Sequence, residues 1–419
     1  MRNALNLLLL LLLFLSGCNT QTRDVAAGGI PTPTPFQPVQ TGQNASDALY
    51  AGAAPTPVYM PTFTATPEIP RPTVDVSLPV DAQPTAVILP PPINPLTGLS
   101  ASDAELLNRR PLAIKVANYP RYIRPQSGLT LADQVFEYYI EDGLTRFIAV
   151  FYGNNSEWVG PVRSGRFFDE NIQRMYQAYL VFKFADPRVL DYFRTTDFAD
   201  FLVVPSLSKC PPFSLLPSRK IEVYNNSYFN TIAWKDCVEK DELQNDAPSF
   251  RSGIFNSDYS SGASVAGTMM YTYYSEDDYH YWSYLPETGE YIRYQETDDI
   301  RNNKPEKYAQ LVDRVTALPV HAANVVMLFA YHSFANSFQA EDEVYHIDLT
   351  GSGEAYVFRD GMGIVARWSR PYANQPLVLT DANALPIFLK PGITFYEVIG
   401  TNSFVDQTDG EWNFHHSTP

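Results

Sequence analysis

The sequence predicts an α+β protein: a mixed α/β sheet module over residues 94–255, followed by a mostly β module over 266–400. Three observations carry this reading. Between Pro111 and Arg194, apolar strand-like runs alternate with helical stretches, the pattern of an α/β or α+β sheet domain. From Met269 onward, short aromatic and β-branched runs are separated by turn signals. Thirty-four prolines against 18% charged residues point to a segregated low-complexity region, because a packed domain does not tolerate so many breaks. At 419 residues the chain exceeds what one hydrophobic core usually organises, and its 45% hydrophobic content is enough to bury a core.

At the N-terminus, Arg2 precedes an apolar stretch from Leu7 to Leu15, and the chain then reads Leu15-Ser16-Gly17-Cys18. Nine apolar residues fall short of the roughly 20 needed to span a bilayer. A basic flank, an apolar centre and small residues in that order match an export signal. The last four residues resemble the bacterial lipobox, which implies cleavage before Cys18 and acylation of its thiol. Residues 1–18 are therefore read as a lipoprotein signal peptide, with Cys18 as the lipidation site. A net charge of −16 argues against nucleic acid as a partner. An anionic membrane surface also repels such a body, so the membrane is a partner through the lipid alone. The expected location is extracytoplasmic, anchored at Cys18.

Residues 19–93 are rich in Pro and Thr, with runs such as Pro31-Thr32-Pro33-Thr34-Pro35. They lack periodic apolar positions to offset ordering entropy and read as a disordered tether, with a reach between roughly 50 Å as a coil and ~230 Å as polyproline II. In the first module, Leu112 to Ala117 reads as a buried strand. Val135 to Glu141 and Leu144 to Tyr152 read as a hairpin about Asp142-Gly143. Asp169 to Ala178 reads as a helix, Tyr179 to Phe184 as a strand, and Pro187 to Arg194 as a helix opened by its proline. Residues 245–264 read as a loop or hinge.

In the second module, strands are expected over Met269 to Tyr274, Tyr279 to Leu285, Tyr291 to Tyr294, Asn324 to Tyr331, Glu354 to Phe358, Ile364 to Trp368, Ile387 to Leu389 and Thr394 to Val398. Residues 401–419, with His415-His416, are expected to be a solvated tail. Cys210 and Cys237 remain after Cys18. In an exported protein they are expected to pair, closing a loop of about 28 residues that contributes about 3–4 kcal/mol, with two buried thiols as the alternative.

Asn94-Pro95-Leu96-Thr97-Gly98-Leu99, Arg110 to Ala113, Arg124 to Leu129, Ala132-Asp133, Glu137, Glu141 to Arg146, and Gly160 to Ser164 with Arg166 keep their order and approximate spacing. Together they resemble the YerB-like lipoprotein family, a bacterial two-module domain of uncharacterised function. Asn324-Val325-Val326, Gly351-Ser352-Gly353 and the Trp368 strand look like its second module. The resemblance implies an architecture spanning Asn94 to Ile399 and no particular activity. Where family members tend to carry a His-Ala-Gly-type segment, this chain reads Val181 to Asp186.

The candidate ligand-binding residues are Arg124, Gln126, Arg146, Arg163, Ser164 and Arg166. Guanidinium groups bind carboxylates and phosphates in a bidentate manner, and cell-wall polymers offer both. The competing reading is an internal network in which Arg146 pairs with Glu137 or Glu141. Glu137 and Glu141, with Asp133 nearby, are weak candidates for the acid and base of a glycan-cleaving site. Strand alternation puts the first two on one face, roughly 13 Å apart. The tyrosines between Tyr271 and Tyr294 suit either a stacking platform or a half-buried sheet face.

Ser206-Leu207-Ser208-Lys209 fits a Ser-x-x-Lys pattern without the companion motifs of penicillin-recognising enzymes. His346 with Asp348, and His415 with His416, offer too few ligands for zinc. No cofactor or metal is expected. The leading expectation is a non-catalytic, membrane-anchored lipoprotein that binds a cell-envelope polymer or an envelope protein. The alternative is a hydrolase acting on a cell-wall glycan or peptide.

Overall fold

Strand pairing in the computed structural model joins the two expected modules into one sheet. The structure describes residues 92–101, 103–205, 210, 212–217, 221–250, 253–335 and 343–419. The signal peptide, Cys18, the tether up to residue 91 and the Ser206 to Lys209 motif lie outside them.

Among the described residues, a twelve-stranded sheet runs from edge to edge through Val378–Thr380, Met362–Arg370, Gly351–Arg359, Asn324–Phe334, Thr394–Gly400, Gln134–Tyr139, Thr145–Phe151, Leu112–Ala117, Tyr179–Val181 and Leu202–Val203. Tyr345–Asp348 and Val265–Ala266 pair beside this path. The join is parallel: Phe395, Tyr396 and Glu397 lie opposite Val135, Phe136 and Glu137. The expected hairpin forms, and Asp142 and Gly143 both take positive φ (55° and 75°), as a type I′ turn requires. Its first strand ends at Tyr139, two residues earlier than the sequence pattern suggests.

Both faces of this sheet are covered. On one, the helix Asp169–Tyr176 sets Tyr176 edge-on to Phe136, whose ring stacks on Tyr396 at 4.4 Å. On the other lies a seven-stranded sheet in the order Tyr308–Gln310, Glu290–Glu296, Tyr279–Leu285, Met269–Tyr273, Glu411–His415, Phe404–Thr408, with His321–Ala322 beside Glu290–Glu296. Trp282 from this sheet packs on Phe395 of the larger one, with ring centroids 4.8 Å apart.

Residues 401–419 are not a solvated tail. Glu411–His415 is an interior strand parallel to Met269–Tyr273, because Trp412 and Phe414 alternate inward and are buried. His416 stacks on Tyr139 at 4.8 Å. The described part of residues 245–264 is a loop held against the sheet: Phe255 bridges Leu389, and Arg359 donates to the carbonyls of Asn256 and Ser257 at 2.9 and 3.1 Å. Cys210 and Cys237 form a disulfide that ties the helix Trp234–Lys240 to the segment before the strand Phe213–Leu215.

Candidate functional site

Lys115 sits in the otherwise apolar strand Leu112–Ala117, fully buried. Strand register places it on the same sheet face as Arg146 and Tyr138. The segment from Arg163 to Arg166 runs between the ends of two parallel strands, with Arg163 N donating to Lys115 O at 3.1 Å and Lys183 N to Arg163 O at 3.1 Å. Four further cations lie along this segment: Arg146 and Arg166 act on Lys115 itself, Arg163 on Arg146, and Lys183 neighbours Arg163. The carboxylates bonded to them are Glu141 and Asp169; Asp186, within electrostatic reach of Arg166, is already held by Arg188 at 2.9 Å.

Arg166 grips Glu141 with two nitrogens, one at 2.7 Å. Arg146 reaches the same carboxylate at 3.6 Å and donates to the Ser164 carbonyl at 2.9 Å. Lys115 pairs with Asp169 at 2.9 Å, and the Tyr138 hydroxyl bonds to both. Arg163 donates to Asn225 Oδ1 at 2.8 Å and Lys183 to the Val223 carbonyl at 2.7 Å. Five cations thus meet two carboxylates.

The surplus positive charge leaves its mark on the titrating groups. Burial, only partly offset by Asp169, pulls Lys115 down to about 7. Burial and then the neighbouring Arg166 charge bring Arg146 down to about 9. Arg163 is lowered by burial and by Arg166, and Lys183 by burial and by Arg163. For Glu141, burial pushes upward, but the Arg166 hydrogen bonds and the surrounding cations prevail and hold it below its usual range. Arg163, Ser164 and Arg166 are half-buried, and the exposed rings of Phe184 and Tyr224 lie beside Lys183 and Arg163 as cation–π partners.

Arg124 and Gln126 belong elsewhere. Arg124 binds Glu296 at 2.7 Å and lines a cleft of about 470 Å³ with Arg121, Glu296 and Gln310. Gln126 is buried and donates to Ala117 O and Asn118 Oδ1 at 3.2 and 3.3 Å. The six candidates therefore split: Arg146, Arg163, Ser164 and Arg166 come together, while Arg124 serves the contact with the smaller sheet and Gln126 braces the end of the strand Leu112–Ala117.

Glu137 and Glu141 do not share a site. Because the strand ends at Tyr139, Glu141 falls in the turn and joins the cation cluster. Glu137 points through the opposite face into a sealed network. There Arg293 Nη1 lies 2.7 Å from Glu137 and 3.4 Å from Glu397, and Glu397 accepts from His280, Trp282 and Thr272, each at 2.6 Å. Burial raises Glu137, whereas His280 and Arg293 outweigh burial and hold Glu397 at about 2. Asp133 is also buried; it accepts from Asn94 at 2.7 Å and from the Tyr152 and Gly153 amides, and burial raises it to about 6.

Glu137, Asp278 and His280 bring ligand atoms within 4.8 Å of one another. Each already has a partner within the protein: Glu137 has Arg293 at 2.7 Å, His280 has Glu397 at 2.6 Å, and Asp278 accepts from the Thr145 amide at 2.8 Å. Tyr279 and Tyr291 are buried, while Tyr271, Tyr273, Tyr281 and Tyr294 stay half-exposed on the outer face, Tyr281 stacking on Tyr294 at 4.7 Å.

Sequence reasoning passed over Lys115, Lys183 and Asp169 at the cation cluster, and His280, Arg293 and Glu397 in the sealed network. The one available signal was Lys115, a lone charge in an apolar strand.

Comparison with known proteins follows the same division of the chain. "Protein of unknown function (DUF3048) N-terminal domain" matches residues 96–245, and the corresponding C-terminal domain matches residues 270–396. The chain belongs to the DUF3048 family. This DUF3048 protein is 27% identical over 318 residues to "Putative lipoprotein YerB" of Bacillus subtilis (strain 168), covering 73% of this chain and 85% of that one. The crystal structure of the YerB protein from Bacillus subtilis superposes with a TM-score of 0.59 at 22% identity, over 74% of this chain and 96% of that one. The two proteins share the fold. No helix among the described residues is long and apolar enough to cross a membrane.

Proposed function

We propose that this DUF3048 protein is an extracytoplasmic lipoprotein, anchored by lipid at Cys18, that binds an anionic cell-envelope polymer through Arg146, Arg163, Ser164 and Arg166. The observation that carries the reading is the unbalanced cluster of five cations and two carboxylates in a chain whose net charge is −16. An unpaired, desolvated cation is costly, and an incoming phosphate or carboxylate relieves that cost with charge-assisted hydrogen bonds. Lys115, Lys183 and Asp169 set the charge behind the contact surface. The lipobox-like sequence at Cys18 and the lipoprotein name of the Bacillus relative support the anchor.

The test is retention of the protein on immobilised wall polymer, with and without its phosphate and carboxylate groups, run beside an assay for polymer cleavage. Retention should require the anionic groups and weaken as salt rises, since salt screens the solvent-exposed charges of the polymer and of the site's rim. Equal retention on the stripped polymer overturns the reading. Retention only on envelope proteins would redirect it to a protein partner, and polymer turnover would replace it with the hydrolase.

A further inference from the structure

Beside the cation cluster, a second cleft of about 470 Å³ opens where the helix Asp169–Tyr176 meets the strands Asn324–Phe334 and Tyr345–Asp348. Its walls carry the rings of Phe167, His346 and Tyr331. Phe167 packs against His346 with centroids 4.3 Å apart, and Tyr331 is 62% exposed. Glu170, Arg174 and Asp348 line the same cleft. Unlike the cation cluster, this cleft holds no surplus of positive charge: Arg174 already pairs with Glu170 at 2.7 Å and with Asp197 at 2.8 Å. At the base lies Arg370, fully buried, with Nη1 and Nη2 bonded to Asn171 and to the carbonyls of Leu349 and Ala373. Its Nε–H is buried and has no hydrogen-bond partner among the described residues.

We infer that this cleft takes a sugar ring, so that the ligand of the neighbouring cation cluster is an anionic glycan. The inference rests on the reading of that cluster as an anion site. Two carboxylates and two guanidinium groups leave the cleft without net charge, so a bare polyanion gains nothing by entering it. A pyranose fits the mixture. Its C–H faces lie against aromatic rings, its hydroxyls donate to Glu170 and Asp348, and its oxygens accept from Arg174 and the unpartnered Arg370 Nε–H. Arg166 belongs to the cation cluster and Phe167 to the cleft, and consecutive Cα atoms are about 3.8 Å apart. A sugar held in the cleft can therefore present its phosphate or carboxylate substituent to the arginines.

Calorimetry on the full chain in detergent tests this with three probes: N-acetylglucosamine tetramer, inorganic phosphate, and the tetramer phosphorylated at one end. The phosphorylated tetramer should bind at least about tenfold more tightly than either of the others. Tyr331→Ala and Asp348→Asn, both at exposed positions, should weaken the two glycans by about tenfold and leave phosphate unchanged. Arg163→Ala should weaken phosphate and leave the uncharged tetramer unchanged. Binding of phosphate without any binding of either glycan overturns the sugar cleft and leaves the anion site standing. Binding of the uncharged tetramer without phosphate overturns the anion site and leaves the cleft. Glycan affinity unmoved by both cleft variants overturns the placement.

Discussion

One strand, Gln134–Tyr139, feeds two charged regions of opposite character. Through one face, Glu137 enters a network with Glu397, His280 and Arg293 in which every side chain is fully buried and opposite charges lie within bonding distance. Through the other, Tyr138 touches Lys115 and Asp169 at the inner edge of a cluster where five cations outnumber two carboxylates and Arg163 and Arg166 reach solvent. The contrast separates two uses of buried charge. Where the charged groups are bonded to one another and water is excluded, removing one partner costs stability. Where one sign is in excess and the site is half-open, the excess is available to a ligand.

The largest expected effect falls on the sealed side. Glu397→Gln should destabilise the fold by about 3–5 kcal/mol in urea unfolding, because Arg293 loses a buried counter-charge and Trp282 and Thr272 lose an anionic acceptor. A loss under about 1 kcal/mol would break the comparison by showing that the network is not structural. Acid unfolding sharpens it. Glu397 titrates at about 2 in the fold against an ordinary 4.5, so the stability it contributes is present above about 4.5 and is lost as pH falls through about 2. The variant should show a flatter stability profile across that window.

On the cation side the effects on stability are smaller and of a different kind. Folding lowers Lys115 from 10.5 to about 7, so between those values the unfolded chain binds more protons. This group therefore adds stability as pH rises from about 7 to 10.5. Affinity for the anion should fall between about pH 6 and 8, because the folded lysine loses its charge around 7. Opposite slopes in the two measurements are the expected signature, and Lys115→Met should remove both. The smallest effect is Lys183→Ala, expected to weaken anion binding a few-fold at low salt and to make no difference at 1 M, where screening reaches about 3 Å.

Much of the fold was legible in the sequence where local chemistry decides it. Asp142-Gly143 marked the hairpin, Pro187 opened its helix, and the turn residues from Pro286 to Gly289 separated two strands that do pair. The long-range pairing was not legible: nothing local in Thr394–Gly400 names a parallel neighbour some 260 residues earlier, so one continuous sheet read as two modules. The strand Glu411–His415 was missed because Trp412 and Phe414 give only two inward positions beside two histidines, too short a period-2 signal to stand out. The pairing of Glu137 with Glu141 failed on a boundary. A strand ending at Tyr139 instead of Glu141 sends the second carboxylate into the turn and to the opposite face. Of the site, the arginines were legible as a set, but the lysines behind them lie in apolar runs, and only the sheet brings them to the arginines.

The most direct test of the account compares wild type with Arg163→Ala for retention on a phosphate-bearing wall polymer, with melting temperatures measured on the same samples. The account predicts at least about a tenfold loss of retention with the melting temperature within about 3 °C of wild type, because Arg163 lies at the half-open rim. Undiminished retention, or a loss that merely follows a collapse in melting temperature, would contradict it.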